Sequence, residues 1–499
     1  MNDAQPQTPE VNDDIVGDDI LPHGKLPPLR SRDLPEPVPL LKMIGPSIML
    51  SGLALGSGEF IFWPYITYQS QFVFFWACVL GVTTQYFINM EITRWSLATG
   101  ESAITGFARL SKHWAWIFLF LNIIPWMVPA WSKGAAQVFG WLIWGENVNE
   151  QLVTYLSIAG LVACGSILTL GKVVYETVEK IQMFLVALAM LLVIGLSIFL
   201  VRPDAISAQV AGALNFGALP DFSDQLTPAL LLGALAFAGV GGTLNLGQSN
   251  YVKDKGYGMG KYIGRITSPI TGQEEAISEI GYHFPHTEGN LSRWRGWWRA
   301  ANIEHFLTFF LTCLVSLVLL TLISYCIFYG PDGTLLPEAG KYDKGIEFVR
   351  GEAVEIDRIF GTTIKVLFLI MGMAFLLTTE FGVLDASTRV STDIIKVNWL
   401  RENTRWSESR LYYLYLWGII AIGVVILLND EIGTFGLFKF AAAMNGLVMF
   451  IYCGLLLYVN RFRLPQVIRM SWPRVLIMAW ATLFFGYFAV WTVWNFFRA

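Results

Sequence analysis

The chain has 499 residues, 54% of them hydrophobic and only 14% charged, and its mean hydropathy is positive. That composition excludes an ordinary water-soluble globular protein and predicts an all-α integral membrane protein with many spans. The net charge of −4 gives no reason to expect a nucleic-acid partner, and no cofactor is implied; the partner read from composition is the lipid bilayer.

Residues 1–38 are polar and rich in Pro and Asp, without the basic and apolar pattern of a cleaved signal peptide, which predicts a disordered cytoplasmic tail. Apolar runs then recur at about 42–68, 72–97, 114–141, 151–170, 178–201, 227–252, 304–329, 359–388, 411–428, 432–459 and 474–497. Each can cross about 30 Å of hydrocarbon as a helix, so eleven transmembrane helices are expected. Lys and Arg collect in alternate connections: Arg109 and Lys112, Lys172 and Lys180, Lys253 to Arg299, Lys396 to Arg410, and Arg461 to Arg474. The positive-inside rule puts the N-terminus in the cytoplasm and the C-terminus outside, in a bacterial inner membrane. All five cysteines fall within predicted spans at no ligand spacing, against disulfides and thiolate metal clusters.

Two spans are interrupted. The first, "LSGLALGSGEFIFWPYI", carries Gly56-Ser57-Gly58-Glu59, and the sixth, "LLLGALAFAGVGGTLNLGQSNYV", carries Gly239-Val240-Gly241-Gly242-Thr243. Each glycine lowers helix propensity by roughly 1 kcal/mol, and unwound backbone at membrane depth survives only against protein or a water-filled cavity. A carboxylate at that depth marks a functional site. Helices 1 and 6 are therefore expected to be broken. Residues 39–201 would form one five-helix repeat, residues 227–460 an inverted second one that includes a cytoplasmic loop over 253–303, and residues 461–499 an eleventh helix. The competing reading is that the glycines only admit close helix packing.

With these residues in view, "IGPSIMLSGLALGSGEF" resembles the first transmembrane segment of the Nramp family of divalent-metal transporters. "FFWACVLGVTTQYFINMEITRWSLATGESAITGFARL" is similar to that family's second helix and following turn, and "GKVVYETVEKIQ" to the start of its fifth. The resemblance runs over most of residues 40–460 and implies the inverted-repeat fold of the LeuT type. The functional motifs depart from the family. Gly56, Ser57, Gly58 and Glu59 stand where it has Asp-Pro-Gly-Asn. Gly241, Gly242 and Thr243 stand where it has Met-Pro-His. Gly134 and Gln137, beside Lys133, replace its acidic proton-coupling pair, and Asn445 replaces a metal-site Gln.

The first reading of the altered site is a secondary transporter moving a hard divalent cation by alternating access, with an organic substrate as the alternative. Glu59, with backbone carbonyls near Gly56 and Gly239 and the neutral oxygens of Thr243, Gln248 and Asn445, makes an oxygen-rich set suited to a hard Mg²⁺- or Mn²⁺-like cation; Glu59 is its one charged metal ligand. The alternative is an amino-acid-like or cationic organic substrate at half-helix ends, for which the small Gly241 and Gly242 leave room. A sensor on a transporter scaffold is a third reading, and no catalysis is implied. Lys133 needs a partner such as Glu59, Glu380 or Asp385. Glu380 and Asp385 lie about 140° apart on a helix, so Asp385 is read as an ion pair with Arg389. All five histidines sit in or beside cytoplasmic segments, so proton coupling by the family's route is not expected. "HFPH", His283–His286, has the look of a metal pair but reads as loop, and "WRGWWRAANIEH" as an interfacial helix.

Overall fold

Hydrocarbon offers backbone groups no partner but one another, so apolar runs that span it fold as helices. The computed structural model describes residues 26–267, 280–337, 339–342, 345–429 and 433–496. In chain order, α1 covers residues 46–70, α2 Phe75–Thr99, α3 Ala103–Leu110, α4 His113–Trp126, α5 Ala130–Trp144, α6 Glu150–Leu170, α7 Val174–Leu200 and α8 Pro203–Leu214. Then follow α9 Pro228–Ala236, α10 Gly242–Asp254, α11 Glu288–Phe328, α12 Glu347–Phe360, α13 Thr362–Trp399, α14 Glu408–Leu428, α15 Thr434–Arg463 and α16 Trp472–Phe496. Among the described residues, eight helices are long and apolar enough to cross a membrane: α4 with α5, then α6, α7, α11, α13, α14, α15 and α16. The chain is an integral membrane protein.

The three remaining expected spans, α1, α2 and the α9–α10 pair, are helical but more enclosed. Every residue of α10 is buried, including Thr243, Asn245 and Gln248, as are Gln85, Asn89 and Glu91 of α2. A helix walled by protein needs no lipid-compatible surface, so its sequence turns polar. By contrast α7 presents Phe184, Leu191 and Ile198 outward. The axis of the packing is α13, which lies against α1, α4, α5, α6, α7, α10, α12 and α14.

Some expectations need correction. Helix 1 is not broken: residues 46–70 run as one helix whose Leu55–Phe62 turns are π-helical. The cause is a side chain inserted into the ladder, since Gly56 N–H donates to Thr379 Oγ1 of α13 (2.8 Å) and that hydroxyl donates to Gly52 O (3.0 Å). The third span, expected to be continuous, is interrupted at residues 127–129, between Pro125 and the Pro129 N-cap of α5. The stretch expected as an interfacial helix is the first part of α11, helical with Trp294 and Trp297 buried and Arg295 and Arg299 exposed, and Trp297 Nε1 donates to Pro35 O (2.8 Å). Of the tail expected to be disordered, residues 1–25 lie outside the described residues. Residues 26–38 are ordered: strand β1, Arg30–Ser31, pairs in parallel with β2, Tyr282–His283, and Leu34 is buried. His305, also expected at the periphery, is buried within α11 against Ser47, Tyr86 and Phe309.

At the end of the bundle where α10 and α13 carry their basic residues, Arg389 bonds both oxygens of Asp385 (2.9 Å each) and Asp254, while Tyr412 donates to Asp385 (2.6 Å). Lys253 pairs with Asp393 (2.9 Å) and Glu408 (3.4 Å). The expected Asp385–Arg389 pair is thus one edge of a buried network tying α10 to α13 and α14. Arg389→Met leaves two buried carboxylates without their cation, and we expect it to cost about 3–5 kcal/mol, read as a lower unfolding temperature of the detergent-purified protein.

Candidate functional site

The interruption expected in the sixth span is real and lies at residues 237–241, between α9 and α10. Gly241 and Gly242 have φ of +78° and +58°, left-handed values at which a side chain is strained. One residue the sequence reading missed holds both sides of the gap. Gln85 of α2 donates through Nε2 to Ala236 O (2.7 Å) and Leu235 O (3.4 Å), and its Oε1 accepts from Val240 N (3.1 Å). A lone amide inside an apolar run was the available signal.

Neighbouring helices close directly on this gap. A Cβ at Gly58 would fall 1.3 Å from Phe237 O, so α1 abuts the interruption, and one at Gly242 would fall 1.7 Å from Asn445 Oδ1 of α15. Gly58 therefore serves close approach rather than unwinding. Gly239 likewise faces Gln85. Thr243 donates to Asn122 Oδ1 (2.6 Å) and accepts from Trp126 Nε1 (2.8 Å), which joins α10 to α4. Asn445 donates to Ala441 O of its own helix (2.8 Å), while its buried Oδ1 lacks a hydrogen-bond partner. No side chain caps the N-terminus of α10.

Aromatic rings surround this point. Phe237 lies 5.9 Å from Phe62 and 6.2 Å from both Trp126 and Trp131, and Trp131 lies 5.5 Å from Phe438, centroid to centroid. All five side chains are buried. The unexpected gap at 127–129 opens beside them. There Glu380 accepts from Ser132 N (2.9 Å) in the first turn of α5, a carboxylate at a helix N-terminus. Lys133, which follows Ser132 in α5, is buried, Asp385 is taken by Arg389, and Gln137 accepts from Thr434 (2.8 Å).

The expected set therefore separates into parts. Gly58, Gly239, Gly241, Gly242, Thr243 and Asn445 meet at the interruption. Gly56 turns to α13. Ser57 lies in the π-helical turns of α1. Gln248 sits further along α10, with Nε2 3.4 Å from Ser47 Oγ and Oε1 without a partner. Glu59 faces α11, where Ser316 donates to its Oε2, and its Oε1 is buried without a hydrogen-bond partner. Among the described residues no group of three or more His, Cys, Asp or Glu side chains is placed to hold a metal ion. In "HFPH" the His283 and His286 rings stand 5.0 Å apart outside the spans, and burial, with His286 beside it, lowers the His283 pKa to about 4.

No protein-family description and no curated protein matches the sequence. Solved structures match the fold. A manganese transporter of Eremococcus coleocola, in complex with an aromatic bis-isothiourea compound, aligns with a TM-score of 0.64 at 13% identity, covering 96% of this chain and 91% of that one. A point mutant of the same transporter aligns at 0.62 and 13%, covering 96% and 90%. MhsT in complex with L-phenylalanine aligns at 0.51 and 14%, covering 89% and 98%. The likeness is one of fold.

Gln85→Leu removes the bridge and leaves Ala236 O and Val240 N unsatisfied, at about 1–3 kcal/mol per group. Gly58→Ala forces α1 off Phe237 and is expected to cost about 1–3 kcal/mol as overpacking. Thermal unfolding in detergent reads both, and both variants should melt below the wild type.

Proposed function

We propose that this chain is a secondary transporter that moves a small solute by alternating access around the 237–241 interruption. We infer further that the solute is an amino-acid-like organic molecule carrying a carboxylate. The observation that carries this reading is the buried, uncapped N-terminus of α10 beside the unpartnered Oδ1 of Asn445. A helix N-terminus favours an anion, an amide oxygen accepts from an ammonium, and the rings of Phe62, Trp126, Trp131, Phe237 and Phe438 give an apolar side chain its surroundings. Reopening between rounds would separate these rings. The eleven-span, five-plus-five inverted arrangement with one added helix belongs to this proposal, because the interruption and the π-helical turns of α1 fall in corresponding spans.

A second reading keeps the hard divalent cation. It is favoured by Glu59 Oε1, a buried carboxylate oxygen without a hydrogen-bond partner, and by the likeness in fold to the manganese transporter. The neutral Gln137 and the Glu380 carboxylate engaged at Ser132 support transport without the proton route of the Nramp family. A sensor remains the reading if nothing moves.

The test is uptake into liposomes holding the purified protein, with radiolabelled amino acids in one arm and Mn²⁺ or Mg²⁺ in the other. We expect amino-acid uptake, reduced tenfold or more in Asn445→Ala through loss of a hydrogen bond to a charged group worth about 1.5–3 kcal/mol. The variant orphans no protein donor or acceptor, so its fold should persist. Mn²⁺ uptake that Glu59→Gln abolishes would overturn the organic reading in favour of the cation. Uptake of neither, by folded protein, would leave the sensor.

A further inference from the structure

Away from the centre, a cleft of about 390 Å³ opens where α4 begins and α13 ends. Its wall includes Lys112, His113, Trp116, Asn398, Trp399 and Arg401, and among the described residues no Asp or Glu lines it. Lys112 and His113 are exposed, and Lys112 makes no hydrogen bond or ion pair among the described residues. Arg401 meets Glu402 at 3.6 Å, but that carboxylate is 91% exposed and such a pair contributes little. Among the described residues the cleft is therefore a concave cationic surface without a carboxylate in its wall.

Its apolar border has a direction. Trp116 and Trp399 pack with ring centroids 4.2 Å apart and are 59% and 39% exposed, an indole pair of the kind that sits at headgroup depth. From His113 the same face of α4 continues through Trp116 and Ile117 to Phe120, at three, four and seven residues, and Phe120 is 64% exposed. A basic cleft leading into an exposed apolar stripe on a spanning helix matches one chemistry: a phosphate headgroup with acyl chains beneath it. We infer that this cleft binds the headgroup of an anionic phospholipid, with its chains along α4. Free phosphate shares the charge but has no use for the stripe.

The experiment is native mass spectrometry of the full-length protein in detergent with an equal mixture of dioleoyl-phosphatidylglycerol and dioleoyl-phosphatidylcholine. Wild type should retain the phosphatidylglycerol preferentially. Lys112→Ala/Arg401→Ala should weaken that binding roughly thirty-fold, one basic side chain near the surface supplying about a fivefold effect. Lys112→Arg/Arg401→Lys keeps the charge and should keep the lipid, which separates lost charge from lost fold. Equal retention by the alanine variant, or no preference for phosphatidylglycerol by the wild type, would overturn the inference. Displacement of the lipid by excess inorganic phosphate would reassign the cleft to a free anion and overturn it too, whereas no displacement supports the lipid. None of these readouts depends on what the protein transports.

Discussion

Inside a bilayer a backbone group released from its helix has no water to turn to, and that constraint organises this molecule. Each irregularity in the core is matched by a side chain from a neighbouring helix. Gln85 bridges the gap at 237–241, Thr379 enters the ladder of α1 at Gly56, and Glu380 receives Ser132 N at the start of α5. Thr379 and Glu380 are adjacent on α13, where Gln182 of α7 also bonds Thr378 O (2.9 Å). Three successive residues of one helix thus join α13 to α1, α5 and α7, which is why α13 is the axis of the packing.

The two ends of the interior differ in chemistry. Toward one end from the interruption lies a column of rings, from Phe237 and Phe62 through Phe435 to Tyr65 and Phe348. Toward the other lie charges: Arg389 with Asp385 and Asp254, and Lys253 with Asp393 and Glu408. Rings part at the cost of apolar exposure, and ion pairs part when water reaches them. Under the proposed transport reading, both kinds of contact would have to open in turn. The residues that hold the irregular backbone are neutral amides, hydroxyls and one carboxylate already engaged.

Much of the fold was legible in the sequence. Long apolar runs became helices, the glycines at 239–242 marked a true interruption, and Asp385 paired with Arg389 because a five-residue spacing turned it away from Glu380. The glycines of α1 gave the opposite result from the one expected. Glycine permits unwinding and also permits contact closer than a Cβ allows, and only the position of Phe237 O shows that Gly58 is used for the second. The interruption at 127–129 was signalled by Pro125 and Pro129 but passed over, because hydropathy stays high across it.

The sequence by itself determined the membrane class, the run of helices and the residues at which the sixth span parts, since these follow from hydropathy and from backbone freedom along the chain. Tertiary structure alone decided which side chains meet. It turned Glu59 toward Ser316 and away from Thr243 and Asn445, seated Gln85 across a gap some 150 residues distant in the chain, and buried His305 in a long helix. Those outcomes depend on the rotation of each helix about its axis and on what its neighbours present, which the order of residues along a single helix does not specify.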